Sequence, residues 1–157
     1  MQDGDALLDL EHQFCFALYV ATRNVVRAYT EALKALDITY PQYLVLLVLW
    51  QWARDAEARP TVKALGERLD TDSGTLSPLL KRLAEKGLVK RTRAVSSRDA
   101  LADEREVFLS LTPAGARLKR QARRIPLKML EQSPVPLHEL ERVRDQLKRF
   151  RSPHAAA

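Results

Sequence analysis

The sequence predicts a mainly α domain carrying one small β-hairpin, on three observations. Apolar residues recur at steps of three and four along most of the chain, which is the helical period. Only two short segments alternate in the manner of strands, Leu88-Val89-Lys90-Arg91 and Glu106 to Leu111, with a polar stretch between them. Two short helical patterns joined by turn residues stand directly before the first of these strands. A chain of 157 residues is long enough for one core of its own, so residues 1–157 are read as a single domain.

The elements follow in order. From about Ala6 to Leu36 nothing breaks a helix, and Leu7, Leu10, Phe14, Leu18, Ala21, Val25, Ala28 and Ala32 form one stripe. An apolar stripe of that length wants a partner helix. The Asp37–Pro41 segment ends it, and a nearly all-apolar helix from about Pro41 to Trp52 is suited to the centre of the core. Ala53 to Pro60 is a connection. Thr61 can cap a short helix over Val62 to Leu69. Asp70 to Gly74 is turn chemistry, with Asp72 or Ser73 as the next cap. The following helix, about Gly74 to Lys86, stops at Gly87, the usual left-handed terminator. Its Leu76, Leu79, Leu80 and Leu83 make one buried face. Its other face carries Ser73, Thr75, Ser77, Pro78, Lys81, Arg82 and Lys86. That pair is a helix-turn-helix, and the hairpin after it is a wing whose tip spans Thr92 to Arg105. Thr112-Pro113 opens a helix running to about Gln132, Ser133 to Pro136 breaks it, and a last helix covers about Leu137 to Phe150.

The charge balance narrows the function. Twenty-six basic against 20 acidic residues leave a net charge of +6, which favours an anionic partner. Between Lys81 and Arg93 stand six cations (Lys81, Arg82, Lys86, Lys90, Arg91, Arg93) and one acid, Glu85. Such a run on a recognition helix and its adjoining strand is the footprint of phosphate contact. The small residues Ser73, Gly74 and Thr75 let backbone N–H groups approach a phosphate, or the helix enter a major groove. Arg105, held by Asp103, would reach the adjacent minor groove. A second basic run (Arg117, Lys119, Arg120, Arg123, Arg124, Lys128) is assigned to solvent and long-range attraction. The longest uncharged apolar run, Tyr43 to Trp50, has 8 residues and is too short to cross a bilayer, so no membrane partner is expected. The acidic N-terminus (Asp3, Asp5, Asp9, Glu11) has no signal-peptide pattern, and one cysteine excludes an internal disulfide; both fit a cytoplasmic protein. No Cys–His–acid set is evident, so an enzyme is not expected. No metal or cofactor is expected either.

The lone Cys15 has two readings. A free cysteine often packs as an inert small hydrophobe. Against that stand Tyr19, Tyr29, Tyr40 and Tyr43. Tyr19 lies one turn on, on the same face. Tyr29 lies fourteen residues on, near the same face but about 21 Å along the axis. Tyr29 therefore meets Cys15 only if two copies of the helix run antiparallel. Phenol hydroxyls donating to a sulfur favour thiolate over thiol.

Asp9 to Tyr19, with Phe14-Cys15-Phe16-Ala17-Leu18-Tyr19 at its end, resembles the start of the organic hydroperoxide resistance regulators, a branch of the MarR family of winged-helix repressors. So do Leu36 to Val45, with Thr39-Tyr40-Pro41-Gln42-Tyr43, and the helix-turn-helix blocks Leu65 to Leu69 and Asp72 to Leu83. Asp103-Glu104-Arg105 and Leu109-Ser110-Leu111-Thr112 resemble the MarR wing and exit. The resemblance implies a homodimer that binds a palindromic operator in double-stranded DNA and represses a peroxide-detoxification gene. It implies dimerisation helices at 1–36 and 113–151 and a winged helix-turn-helix at 41–111. It implies that Cys15 senses organic hydroperoxide and that the partner copy's Tyr29 and Tyr40 hydrogen-bond its sulfur, with Tyr19 lining the pocket. It places the chain with the one-cysteine type, in which a low-molecular-weight thiol caps the oxidised sulfur. The alternative is a MarR-type repressor released by a small aromatic ligand, with Cys15 structural.

Overall fold

The computed structural model describes residues 8–93 and 106–150. The first long helix, α1, runs Phe14–Leu33, shorter than the continuous Ala6 to Leu36 span expected from the apolar stripe. Leu10–His12 instead form a separate 3-10 turn, because Gln13 is extended (φ −81°, ψ 107°) and interrupts the hydrogen-bond ladder. At the other end Lys34–Leu36 tighten into a second 3-10 turn. Asp37 closes it in the left-handed region (φ 51°), where Asp is among the few tolerated side chains.

Helix α2, Tyr40–Trp52, begins with a capping box. The Thr39 hydroxyl accepts from the Gln42 N–H at 3.5 Å, and the Gln42 side-chain oxygen accepts from the Thr39 N–H at 3.0 Å. Its Val45, Leu46 and Leu49 are buried, and it packs against α1, α3 (Val62–Leu69), α4 (Ser73–Glu85), β2 (Val107–Leu111) and α5 (Pro113–Ala122). This matches the expectation of a central apolar helix. Thr61 caps α3 and Asp72 caps α4. Helix α4 ends at Gly87, whose φ of 67° lies in the left-handed region that glycine enters without strain. Leu65, Leu76, Leu80 and Leu83 close the core between the two helices.

Strand β1, Val89–Arg93, pairs antiparallel with β2 in the register Val89↔Leu111, Arg91↔Leu109 and Arg93↔Val107. The connection before α3 is more than a linker. Its end joins this sheet, with Thr61 bridging Phe108 and the Leu109 N–H donating to the Pro60 carbonyl at 2.7 Å. Arg59 adds an ion pair to Glu106 at 3.1 Å. Thr92 and Arg93, expected in the wing tip, extend β1 instead, and residues 94–105, including Asp103 and Arg105, lie outside the described residues.

The single helix expected from Thr112 to Gln132 is two, α5 and α6 (Arg124–Glu131), parted at Arg123. Pro126 explains the break. It has no N–H to give the Ala122 carbonyl, and its ring crowds that carbonyl. The last helix is α7, Leu137–Leu147, finished by a 3-10 turn at Lys148–Phe150.

Large apolar side chains stay exposed on the helices near both ends of the chain. Phe14, Phe16 and Val25 of α1, Leu127 and Leu130 of α6, and Val143 of α7 are all exposed, and Phe14 stacks on Phe150 with centroids 5.4 Å apart. Elements from opposite ends of the chain thus meet at the Phe14–Phe150 stack. No single helix among the described residues is long and apolar enough to cross a membrane.

Candidate functional site

The face expected to contact DNA is built on α4. Ser73, Thr75, Ser77, Pro78, Lys81 and Arg82 are all exposed, opposite the buried Leu76, Leu80 and Leu83. Ser77 and Lys81 follow Ser73 at steps of four, and Arg82 follows Pro78 at the same step, so they form two adjoining stripes. The start of α4 is less open than its small residues suggest. The Asp72 carboxylate accepts from the Thr75 N–H and the Thr75 hydroxyl, both at 2.9 Å. These bonds, the backbone one first, hold the Asp72 carboxyl below the usual carboxylate range. The Ser77 hydroxyl likewise donates to the Ser73 carbonyl at 2.8 Å. The expectation of free backbone N–H groups at this end is therefore corrected at Thr75, whose N–H already has a carboxylate.

Beyond α4, Arg91 and Arg93 fall on one face of β1 and are exposed. Among the described residues Arg82, Lys90, Arg91 and Arg93 have no carboxylate partner, while Lys81 lies 3.9 Å from Glu85. Lys86 departs from the pattern. Its ammonium turns away from the stripes, donating to the Asp37 carboxylate at 2.5 Å and to the Asp37 backbone carbonyl. No local signal in the sequence announces a contact across 49 residues.

The second constellation lies on α1 and α2. Cys15 occupies the second position of α1 and is exposed within one copy of the chain. Tyr19 is exposed one turn on, with the Arg23 guanidinium 5.4 Å from its ring centre. Tyr29, Tyr40 and Tyr43 gather at the far end of the helix, with centroids 5.0 Å apart for Tyr29 and Tyr40 and 5.9 Å for Tyr29 and Tyr43. Tyr29 and Tyr40 are half-buried, whereas Tyr43 is 2% exposed. Burial raises all three phenols above their ordinary range, Tyr43 to about 12, with Tyr40 adding to the effect on Tyr29. They therefore stay protonated and able to donate.

Tyr43 packs edge-on against Trp50, and the Trp50 indole Nε1 donates to the Gly115 carbonyl at 2.9 Å. A cleft of about 250 Å³ beside them is lined by Tyr43, Leu47, Arg54, Lys119 and Arg123. A second, of about 560 Å³, sets Arg120, Arg124 and Lys128 against Ala32, Ala35 and Leu36. Arg117, Arg120, Arg123, Arg124 and Lys128 of the later basic run are exposed, and Lys119 is half-buried.

The chain matches the family model "Transcriptional regulator SarA/Rot" over residues 27–122. It is 44% identical to the organic hydroperoxide resistance transcriptional regulator of Bacillus subtilis over 137 residues, 85% of this chain and 86% of that protein. It is also similar to AbfR, a Staphylococcus epidermidis protein. Reduced AbfR bound to DNA aligns at TM-score 0.74 and 32% identity, covering 94% of this chain and 96% of that one. Disulfide-formed AbfR aligns at TM-score 0.60 and 33% identity over 93% and 95%. A MarR-family regulator from Rhodococcus sp. RHA1 shares the fold at TM-score 0.70 and 21% identity, covering 98% of each chain. These relatives are transcriptional regulators, not enzymes.

Proposed function

The chain belongs to the MarR/SarA family of winged-helix transcriptional regulators, and we propose that it is a repressor switched by oxidation of Cys15. In this reading two copies pair through exposed apolar residues of α1, α6 and α7, with residues 1–36 and 113–151 as dimerisation arms. Residues 41–111 are the reading head. Each head lays α4 in a major groove of a palindromic operator, with Ser73, Thr75, Ser77, Pro78, Lys81 and Arg82 at base edges and phosphates and Arg91 and Arg93 on the flanking backbone. Asp103 and Arg105 would extend the contact into the minor groove.

The observation that carries the reading is the division of one site between two ends of α1. The exposed Cys15 lies near the start of the helix, and a protonated, half-buried pair of phenols, Tyr29 and Tyr40, lies at its other end. Fourteen residues of helix keep Cys15 and Tyr29 about 21 Å apart within one copy. Antiparallel packing of two copies brings each thiol to the other's phenols, with Tyr19 on the wall. Tyr43 is sealed inside and supports the pair from behind.

The chemistry balances as follows. The Cys15 thiolate attacks the terminal oxygen of an organic hydroperoxide. An S–O bond forms, the O–O bond breaks, and the alkoxide leaves with a proton as an alcohol. The sulfenic acid then condenses with a low-molecular-weight thiol, releasing water and forming a mixed disulfide. The added bulk does not fit the seam, and the two heads lose their spacing. The apolar side chains around the thiol, Phe14 and Phe16, favour a hydroperoxide with a carbon tail.

The test is duplex binding before and after cumene hydroperoxide, with and without a small thiol, on operators selected from random duplexes. Release only after peroxide supports the reading, and binding unaffected by peroxide removes it. Tyr29→Phe combined with Tyr40→Phe should slow Cys15 oxidation roughly tenfold or more, since each hydrogen bond to a charged group is worth about 1.5–3 kcal/mol. Oxidation followed by mass spectrometry at the parent rate would remove the phenols from the mechanism.

A further inference from the structure

Lys86 is the one cation of the recognition-helix run that the fold ties to another element, in an ion pair at the surface. It caps the C-terminal end of α4, and its ammonium is held twice by Asp37, through the carboxylate and through the backbone carbonyl. Asp37 is itself fixed. It takes a left-handed conformation, and its N–H donates to the Lys34 carbonyl at 3.1 Å. It forms the corner between α1 and α2, three residues before Tyr40.

The same end of α4 is fastened a second time. The Thr112 hydroxyl donates to the Gly87 carbonyl at 2.6 Å, and the Thr112 N–H donates to the Leu88 carbonyl at 3.1 Å. One turn along α5, Gly115 takes the Trp50 indole N–H, and Trp50 packs on Tyr43 of the phenol cluster. Both anchors of the recognition helix thus lead back to the elements that carry the tyrosines.

We propose that Lys86 is a positioning residue, which sets the angle of the recognition helix through Asp37 rather than neutralising a DNA phosphate. A 13-residue helix held at one end is a lever. It is about 20 Å long, so a tilt of about 10° at the Lys86 end moves the base-reading end by roughly 3 Å, close to one base-pair step. The pair also carries movement of the Tyr40 corner to α4 when the thiol site is oxidised. That second role rests on the sensor reading above, whereas the positioning role needs only DNA binding.

The two roles are tested on the full-length protein and an operator duplex selected from a random pool. Reduced Lys86→Met, Asp37→Asn, their double variant and Lys81→Met are titrated from 50 to 300 mM salt. Asparagine is chosen because it tolerates the left-handed corner, and melting curves verify that each variant is folded. Lys81→Met should lower the slope of log affinity against log salt by about 1, the loss of one phosphate contact. Lys86→Met should weaken operator binding about three- to tenfold with the slope unchanged and non-specific binding unaltered. Asp37→Asn should also weaken binding although it removes a negative charge, and the double variant should be no weaker than the worse single variant. A slope reduced by about 1 in Lys86→Met, tighter binding by Asp37→Asn, or additive effects would each overturn the positioning role.

For the relay, the loss of operator affinity on peroxide treatment should shrink in Lys86→Met while mass spectrometry shows Cys15 oxidised at the parent rate. An undiminished loss would overturn the relay. If the parent itself is not released by peroxide, the sensor reading and the relay fail together, and the salt slopes still decide the positioning role.

Discussion

Cys15→Ser protein should bind operator DNA as tightly as the parent and stay bound at a cumene hydroperoxide concentration that frees the parent. Several features make the substitution clean. Within one copy Cys15 is exposed on α1, so serine leaves no void in that copy's core, and in the proposed seam its hydroxyl can take the thiol's place beside the phenols. Serine is close to cysteine in helix propensity, and the change lies far from α4 in sequence and on a different element. What disappears is the nucleophile, because a serine hydroxyl without a base does not open a peroxide O–O bond. The effect should be large. Losing simultaneous docking of both heads forfeits the specific part of binding, which for DNA readers is typically about 10³-fold or more over non-specific affinity. The parent should therefore lose at least about a hundredfold in operator affinity on oxidation, and the serine protein none. Electrophoretic mobility shifts or fluorescence anisotropy would read both. Release of the serine protein by the same treatment would mean that the trigger is not the sulfur.

The helix-turn-helix is legible in the sequence because its determinants are local. Thr61, Asp72 and Gly87 are cap and stop signals that act within one turn of themselves, and the leucines of α4 define their own buried face. The core role of α2 is equally plain, since in the uncharged run from Tyr43 to Trp50 every residue but Leu44 and Leu47 is buried. Where the reading of the first helix runs long, the cause is that apolar spacing does not register backbone breaks. Leu10 and Phe14 keep the period across an extended Gln13. Pro126 is visible in the sequence, but the interruption it causes falls at Arg123, about a turn earlier, where its ring and missing N–H act on the preceding coil.

The site was legible in its parts and not in its connections. Cys15 and the tyrosines stand out as residue types, and helix geometry alone shows that Cys15 and Tyr29 cannot meet within one copy. That Tyr43 is sealed while Tyr29 and Tyr40 reach the surface depends on how α1 lies on α2, a long-range packing matter. Lys86 is the sharper case. In sequence it is one of six cations, and only the fold reveals that Asp37, on another element, claims it. Charge counts report which partner class a surface suits, and they overcount contacts wherever the protein uses a cation on itself.

Gly115→Ala reverses what helix propensity alone would suggest. An exposed glycine replaced by alanine in a helix gains about 1 kcal/mol, and Gly115 sits in the first turn of α5 with its N–H donating to the Thr112 hydroxyl at 3.0 Å. Yet Gly115 is buried, and a β-carbon there would collide with the Leu88 carbonyl and press on a Leu111 methyl at 3.3 Å. The main obstacle is backbone at the base of β1, so no rotamer change relieves it. The chain must separate α5 from the wing or lose the Trp50 to Gly115 hydrogen bond and the Thr112 to Leu88 hydrogen bond. Overpacking of this kind costs about 1–3 kcal/mol, and a broken buried hydrogen bond adds about 1–3 more. The net destabilisation should be about 2–4 kcal/mol, a fall in melting temperature on the order of 5–15 °C. Operator affinity should fall further than stability requires, because the displaced segment anchors both the end of α4 and the root of the wing. The comparison variant is Ala116→Gly, an exposed position one residue along the same helix that should lose only about 1 kcal/mol. If Ala116→Gly proves the less stable of the two, the close approach of α5 to Leu88 is not what positions the wing.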